Sequence, residues 1–260
     1  MLQEIVKRAL LSRVYEAAHE TRLDVAPLLS RRLGNTVLLK REDEQPVFSF
    51  KIRGAYNKMV QLTSEQLSHG VVASSAGNHA QGVAFSAAKL GCRAVIVMPR
   101  TTPEIKVDAV KNLGGEVRLY GDNYDEAFEH ARELSEQQGL IFVHPYDDMD
   151  VIAGQATIGL EILKQHPGPL DAVFIAVGGG GLVAGVGAVI KYLRPEVKVI
   201  AVEPIDASAL DQSLKRGERV ELDHVGRFAD GVAVKKVGEH TFDLARQVVD
   251  EMVLVSTDEI

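Results

Sequence analysis

Short apolar runs alternate with stretches whose apolar positions recur every three to four residues, and this rhythm governs most of the chain. Between residues 71 and 143 it predicts strands at 71–74, 94–98, 116–120 and 140–143, separated by helices at 78–90, 103–113 and 124–138. Gly91, Gly114 and Gly139 stand just past these helices and Pro103 opens one, the usual asymmetry of helix punctuation. His144-Pro145-Tyr146 interrupts the pattern. A helix over 151–165 then leads into strand 172–177, helix 182–193, strand 197–203, helices 207–216 and 239–249, and strand 252–255. Ahead of residue 71 the pattern gives a helix over 3–19 and a short strand at 36–40. A further helix is entered from Ser49, with Ile52, Ala55, Tyr56, Met59 and Val60 on one apolar stripe. Strands alternating with helices predict an α/β fold with two open, mostly parallel twisted sheets flanked by helices. The break near residue 145 divides it into two domains, with ligands expected at strand carboxyl ends.

Length and charge narrow the class. The chain has 260 residues, enough for one large or two modest α/β domains, and a formal net charge of −7 with both signs interspersed. That distribution offers neither the basic patch of a nucleic-acid binder nor a polybasic segment for a membrane surface. The single cysteine, Cys92, excludes a disulfide framework and fits a reducing compartment such as the cytoplasm. It begins an apolar run, as a small buried residue would. Met1 to Leu11 carry charge throughout and lack the apolar region of a signal peptide. Residues 172–190 hold no charged side chain and are long enough to span a bilayer. Gly178 to Gly181 lie in their middle, however, each costing a helix about 1 kcal/mol relative to alanine. The stretch reads as strand, glycine loop and helix.

Three places carry candidate chemistry. Lys51 and Arg53 fall in the first turn of the helix after Ser49, where the dipole disfavours cations by a few tenths to about 1 kcal/mol each. That helix end should lower the Lys51 pKa toward the reactive free amine, unless the lysine is an ordinary solvated one. Ser74-Ser75-Ala76-Gly77-Asn78-His79 follows a strand and opens a helix, so its N–H groups suit a carboxylate. The Asn78 amide can bond a phenolic or carbonyl oxygen there. A capped turn with a His79 satisfied by its neighbours is the plain alternative. Gly178-Gly179-Gly180-Gly181-Leu182 follows a buried strand and lets a phosphate approach the backbone closely. Gly179, Gly181 and Ala184 also match G-x-G-x-x-A, with Glu203 ending the next strand, which keeps a nicotinamide or flavin enzyme open.

Taken together, these motifs resemble the fold type II pyridoxal-phosphate enzymes (the tryptophan-synthase-β type), and among them the threonine dehydratases. The carrying residues are Ser49-Phe50-Lys51-Ile52-Arg53-Gly54-Ala55, Ser75-Ala76-Gly77-Asn78-His79-Ala80-Gln81-Gly82 and Gly178-Gly179-Gly180-Gly181-Leu182. The likeness runs along essentially the whole chain. Lys40-Arg41-Glu42-Asp43 and Phe228-Ala229-Asp230-Gly231-Val232-Ala233-Val234 are more similar to the biosynthetic type, which serves isoleucine synthesis, than to the catabolic one. The resemblance implies pyridoxal 5'-phosphate as cofactor and deamination of L-threonine, with L-serine as a second candidate, in a cytoplasmic homo-oligomer (dimer or tetramer). It implies that Lys51 carries the cofactor and acts as catalytic base, that Phe50 packs against the cofactor ring, and that Asn78 bonds its 3-hydroxyl. Gly178, Gly179, Gly180, Gly181 and Leu182 would bind its phosphate. Ser75, Ala76, Gly77, Asn78 and His79 would take the substrate carboxylate. The small domain would be 48–145, and 1–47 with 146–260 the large one.

The resemblance is incomplete toward the C-terminus. The family's glycine-rich partner segment for the pyridine nitrogen and its regulatory domain are not matched within the 260 residues. Ser256-Thr257-Asp258-Glu259 has the S-x-x-E form of a capping box. The expectation is the N-terminal part of a longer protein, with the large domain incomplete. Relatives that bind a divalent cation use a glutamate and a nearby aspartate; Glu203 is present, Ala209 stands where the aspartate aligns, and no metal site is expected. The competing readings are a serine dehydratase or racemase of the same fold, a dinucleotide-dependent oxidoreductase, and a non-catalytic remnant.

Overall fold

Two parallel sheets, one in each half of the chain, carry the fold, and helices cover them. The computed structural model describes every residue except 227. The chain opens with α1 (Leu2–Leu10), β1 (Leu23–Val25), α2 (Pro27–Leu33) and β2 (Leu38–Lys40), and β1 pairs antiparallel with β2. Next come α3 (Lys51–Met59), α4 (Ser64–His69), β3 (Val71–Ser74), α5 (Asn78–Leu90) and β4 (Ala94–Met98). They are followed by α6 (Glu104–Asn112), β5 (Glu116–Leu119), α7 (Tyr124–Gln138) and β6 (Ile141–Phe142). These strands form a sheet ordered β5-β4-β3-β6, all parallel. α8 (Met149–Gln165) leads to β7 (Ala172–Ala176), α9 (Gly181–Leu193), β8 (Lys198–Pro204), α10 (Ala209–Arg216), α11 (Glu239–Val248) and β9 (Glu251–Val255). The second sheet is ordered β7-β8-β9, again all parallel. The α/β class with two mostly parallel sheets is the one the alternation predicts.

Burial explains the pattern. Every residue of β3 and β4 is buried, so their runs are apolar without alternation, as a strand covered on both faces requires. Ile96 and Met98 are wholly inaccessible, and burying each contributes about 1.5–3 kcal/mol. Among the described residues no helix is long and apolar enough to cross a membrane, and 172–190 divides into β7, the glycine loop and α9 as expected.

Local departures have local causes. The helix expected over 3–19 ends at Leu10, and residues 14–16 make a short 3-10 turn. That break lets Val14 bury while the Tyr15 hydroxyl donates to Glu161 at 2.7 Å. β1, α2 and α4 are additions. α2 buries none of its residues and so has no apolar stripe against a core. α4 is announced by a Thr63/Gln66 capping box that the sequence does contain. Phe50, not Ser49, occupies the cap position of α3, although the Ser49 hydroxyl accepts from the Lys51 N–H at 3.3 Å. At the other end, the Glu259 carboxylate accepts from both the N–H and the hydroxyl of Ser256 at 2.8 Å, one half of the expected capping box.

α3 meets α8 through glycines. A Cβ on Gly154 would lie 2.6 Å from the Arg53 carbonyl oxygen and 2.7 Å from the Gly54 Cα, so only the bare backbone permits this approach. The crossing fixes where α3, and hence Lys51, stands.

Candidate functional site

Lys51 is the first residue of α3, and its partly buried side chain reaches residues 144–146. The Nζ donates to the Pro145 carbonyl at 3.0 Å and lies 5.5 Å from the centre of the Phe50 ring. Burial pushes its pKa down from 10.5 to about 8. Loss of water therefore sets this value, whereas the sequence pointed to the helix end. The second cation of that first turn is neutralised: Arg53 is fully buried and paired with Glu42 and Glu161.

Pro145 belongs to a turn that also touches the glycine loop. The place a Cβ would take on Gly179 is filled by the Tyr146 ring, and a Cβ on Gly181 would lie 3.1 Å from the Tyr146 Cβ. Gly180 adopts φ +92°, a left-handed conformation natural only to glycine, and a Cβ there would meet Thr241 at 2.9 Å. The Thr241 hydroxyl donates to the Gly179 carbonyl at 2.7 Å. The Asp147 carboxylate accepts the first amides of α11, from Glu239 and His240 at 2.9 Å and from Thr241 at 3.3 Å. Among the described residues, the N–H groups from Gly178 to Val183 find no protein acceptor, although Gly179, Gly180 and Gly181 are buried. A run of unpaired buried donors opening a helix is the environment in which a phosphate binds. The residues fit that group. Lys51 and the glycine loop thus flank the same turn, residues 144–147.

The second loop lies at the carboxyl end of β3. Ser75, Ala76 and Gly77 are partly buried and Asn78 is exposed as the first residue of α5. The Ser75 hydroxyl accepts from the Gly77 N–H at 3.2 Å, and among the described residues the amides of Asn78 and His79 have no acceptor. The His79 ring is buried, with Nε2 at 2.9 Å from the Val143 carbonyl. A carbonyl only accepts, so Nε2 carries the proton, and the bare Nδ1 has no partner among the described residues. Burial, reinforced by the charge of Lys51, lowers the His79 pKa to about 3. This ring stays neutral and does no acid–base work near pH 7.

Glu203 answers the dinucleotide alternative. Its wholly buried carboxylate accepts from the amides of Leu210 and Asp211 at 2.9 Å, so both oxygens are engaged and neither is open to a ribose hydroxyl. Among the described residues no three His, Cys, Asp or Glu side chains are grouped to hold a metal ion. Sequence reasoning missed His144, Tyr146, Asp147 and Thr241. The His-Pro break marks the place of the first three without giving their roles, and Thr241 has no local signal.

Fold and site define the class. The pyridoxal-phosphate dependent enzyme family matches residues 14–260, and the chain belongs to that family. It is 60% identical over 257 residues to the biosynthetic, chloroplastic threonine dehydratase of Arabidopsis thaliana, covering 99% of this chain and 43% of that one. It is 54% identical to the biosynthetic L-threonine dehydratase of Escherichia coli, covering 99% of this chain and 50% of that one. The chain thus spans about half the length of the curated relatives it matches. Among solved structures, the processed threonine deaminase isoform 2 of Solanum lycopersicum superposes with a TM-score of 0.96 at 53% identity, covering 99% of this chain and 75% of that one. Maize serine racemase superposes with a TM-score of 0.93 at 32% identity, covering 99% of this chain and 77% of that one.

Proposed function

We propose that the chain is the catalytic region of a pyridoxal-phosphate dependent threonine ammonia-lyase, forming 2-oxobutanoate and ammonia from L-threonine. One observation carries this reading: an amine with a pKa of about 8 and a glycine loop of unpaired amides flank one four-residue turn. Identities of 54–60% to threonine dehydratases support the substrate.

In this reading the amides of Gly178 to Leu182 hold the phosphate, Phe50 packs beside the ring and Asn78 bonds the ring hydroxyl. When bound, pyridoxal phosphate supplies a ring that disperses negative charge from the substrate α-carbon. The amides of the Ser75–His79 loop orient the substrate carboxylate. Lys51 removes the α-proton, which its lowered pKa allows because the free amine is accessible near neutral pH. L-serine enters as a poorer substrate, since one methyl group is worth only about 1–3 kcal/mol of discrimination. The 48–145 segment and the rest of the chain act as the two lobes around the cofactor. We place the protein, as a homo-oligomer, in a reducing compartment such as the cytoplasm, in keeping with its single cysteine.

Borohydride reduction of the chain loaded with pyridoxal phosphate should fix the cofactor on Lys51, read by peptide mass. Lys51→Ala should abolish both labelling and 2-oxobutanoate formation from threonine. Labelling at another lysine, or turnover that survives Lys51→Ala, refutes the assignment.

A further inference from the structure

The turn between Lys51 and the glycine loop has its own organiser. His144 Nδ1 accepts from the Tyr146 N–H at 3.2 Å and from the Asp147 N–H at 2.8 Å. A ring nitrogen that accepts is the unprotonated one, so Nε2 holds the proton and the imidazole is neutral. The ring stands edge-on to Tyr146 with centres 4.7 Å apart, and Phe128 and Phe142 lie at 6.0 and 6.1 Å. Burial keeps it neutral, with a pKa of about 4. The residues it fixes are those that make the site. Pro145, next to it, presents the carbonyl that receives the Lys51 amine. Tyr146 fills the space against Gly179, and Asp147 caps α11. Remove the acceptor, and two amides lose their partner at the point where the turn is defined.

We infer that His144 is a positioning residue of this site: its Nδ1 holds residues 145–147 in the turn that sets the Lys51 amine beside the glycine loop. The inference deepens the pyridoxal-phosphate reading and rests on it only for the cofactor-binding half of its test. Were His144 merely structural, its ring volume would matter. As a positioning residue, its acceptor matters.

Two substitutions separate these roles. His144→Phe keeps a ring among Phe128, Phe142 and Tyr146 but offers no acceptor. His144→Asn gives up the ring and restores a short side-chain oxygen that can accept from nearby amides, as asparagine does in turns. The readouts are the pKa of Lys51 in the cofactor-free chain, taken from the pH dependence of its reductive methylation, and the Kd for pyridoxal phosphate. His144→Phe should raise the Lys51 pKa toward the ordinary lysine value and weaken pyridoxal phosphate binding about ten-fold. His144→Asn should hold the pKa and stay within about two-fold in binding. The opposite ranking, or no change in either variant, overturns the inference. Wild-type chain that binds no pyridoxal phosphate would defeat the functional reading, while the Lys51 titration would still decide the role of His144. If His144→Phe does not fold, nitrogen NMR of the wild-type ring decides: an unprotonated Nδ1 at neutral pH is required, and a protonated one ends the proposal.

Discussion

Arg53 and Glu161 form a buried, two-point ion pair between α3 and α8, with Nη1–Oε1 at 2.5 Å and Nη2–Oε2 at 3.0 Å. Glu42 grips the same guanidinium at 2.8 and 2.7 Å, and Lys40 reaches Glu161 at 2.6 Å. The set lies two residues along α3 from Lys51, so it anchors the helix that presents the amine.

Arg53→Met should therefore be severe. It leaves Glu161 with Lys40 as its cation and Glu42, among the described residues, with none, and breaking such a buried pair costs about 3–5 kcal/mol. A domain's whole stability is about 5–15 kcal/mol. Arg53→Lys keeps the charge but loses the forked geometry, so it should fall between wild type and Arg53→Met. Urea unfolding gives the ranking. A loss below about 1 kcal/mol for Arg53→Met would mean that the network is solvated or rearranges.

Gly154→Ala tests the crossing of α3 and α8. The added methyl would stand 2.6 Å from the Arg53 carbonyl oxygen, too close for either helix to remain in place. Overpacking of this kind costs about 1–3 kcal/mol. Because the strained contact is with α3 backbone, pyridoxal phosphate binding should weaken as well as stability. Gly91→Ala is the control, since among the described residues no atom beyond its chain neighbours lies within 4 Å of its Cβ position and its φ of +68° confines the cost to the backbone. Equal loss of cofactor affinity in both variants would sink the claim that this crossing places Lys51.

The candidate site's motifs are legible in the sequence where residue choice opposes local preference. A lysine in a helix's first turn, four glycines after a strand and a small-residue loop before a helix are each contiguous and each odd for structure alone, whereas the second cation of that turn, Arg53, has a structural reason in its pairing with Glu42 and Glu161. The parallel sheets are legible because β3, β4 and β8 are apolar enough to read as buried. His144, Asp147 and Thr241 are not legible in that way. Asp147 caps a helix 92 residues downstream and Thr241 bonds a carbonyl 62 residues upstream, so no local pattern can announce them. α2 is legible but unread: Val25, Leu28, Leu29 and Leu33 recur at helical spacing across Pro27 and up to Gly34, yet the helix is only seven residues long and these side chains stay exposed rather than facing a core.

The titration of Lys51 has a defined sign. Its folded pKa, about 8, lies below the ordinary 10.5, so between those values the unfolded chain binds a proton that the folded chain does not. Stability of the cofactor-free chain should therefore rise as pH climbs through that window, by about 3 kcal/mol. Lys51→Met should flatten the rise. Urea midpoints across the alkaline range for both proteins make the comparison, and parallel curves would contradict a buried amine.

Glu203 should act with the opposite slope in acid. Burial raises its pKa from 4.5 to about 7, although the Leu210 and Asp211 amides pull it down; the charge of Asp211 adds to the rise. Between those values the folded chain keeps a proton that the unfolded chain has released, so this contribution is present at low pH and is lost as pH rises to 7. His79 and His144 oppose it. Both are held neutral, with pKa values of about 3 and 4 against an ordinary 6.5, so they add stability as pH rises toward 6.5. The net curve therefore conceals Glu203, and the diagnostic quantity is the difference between wild type and Glu203→Gln. The variant keeps one oxygen for the α10 amides and does not titrate. Relative to it, the wild type should lose about 3 kcal/mol between pH 4.5 and 7, measured by urea unfolding at stepped pH. A difference that stays constant over that range would place the Glu203 carboxylate in contact with water, and its hold on α10 would then need no proton.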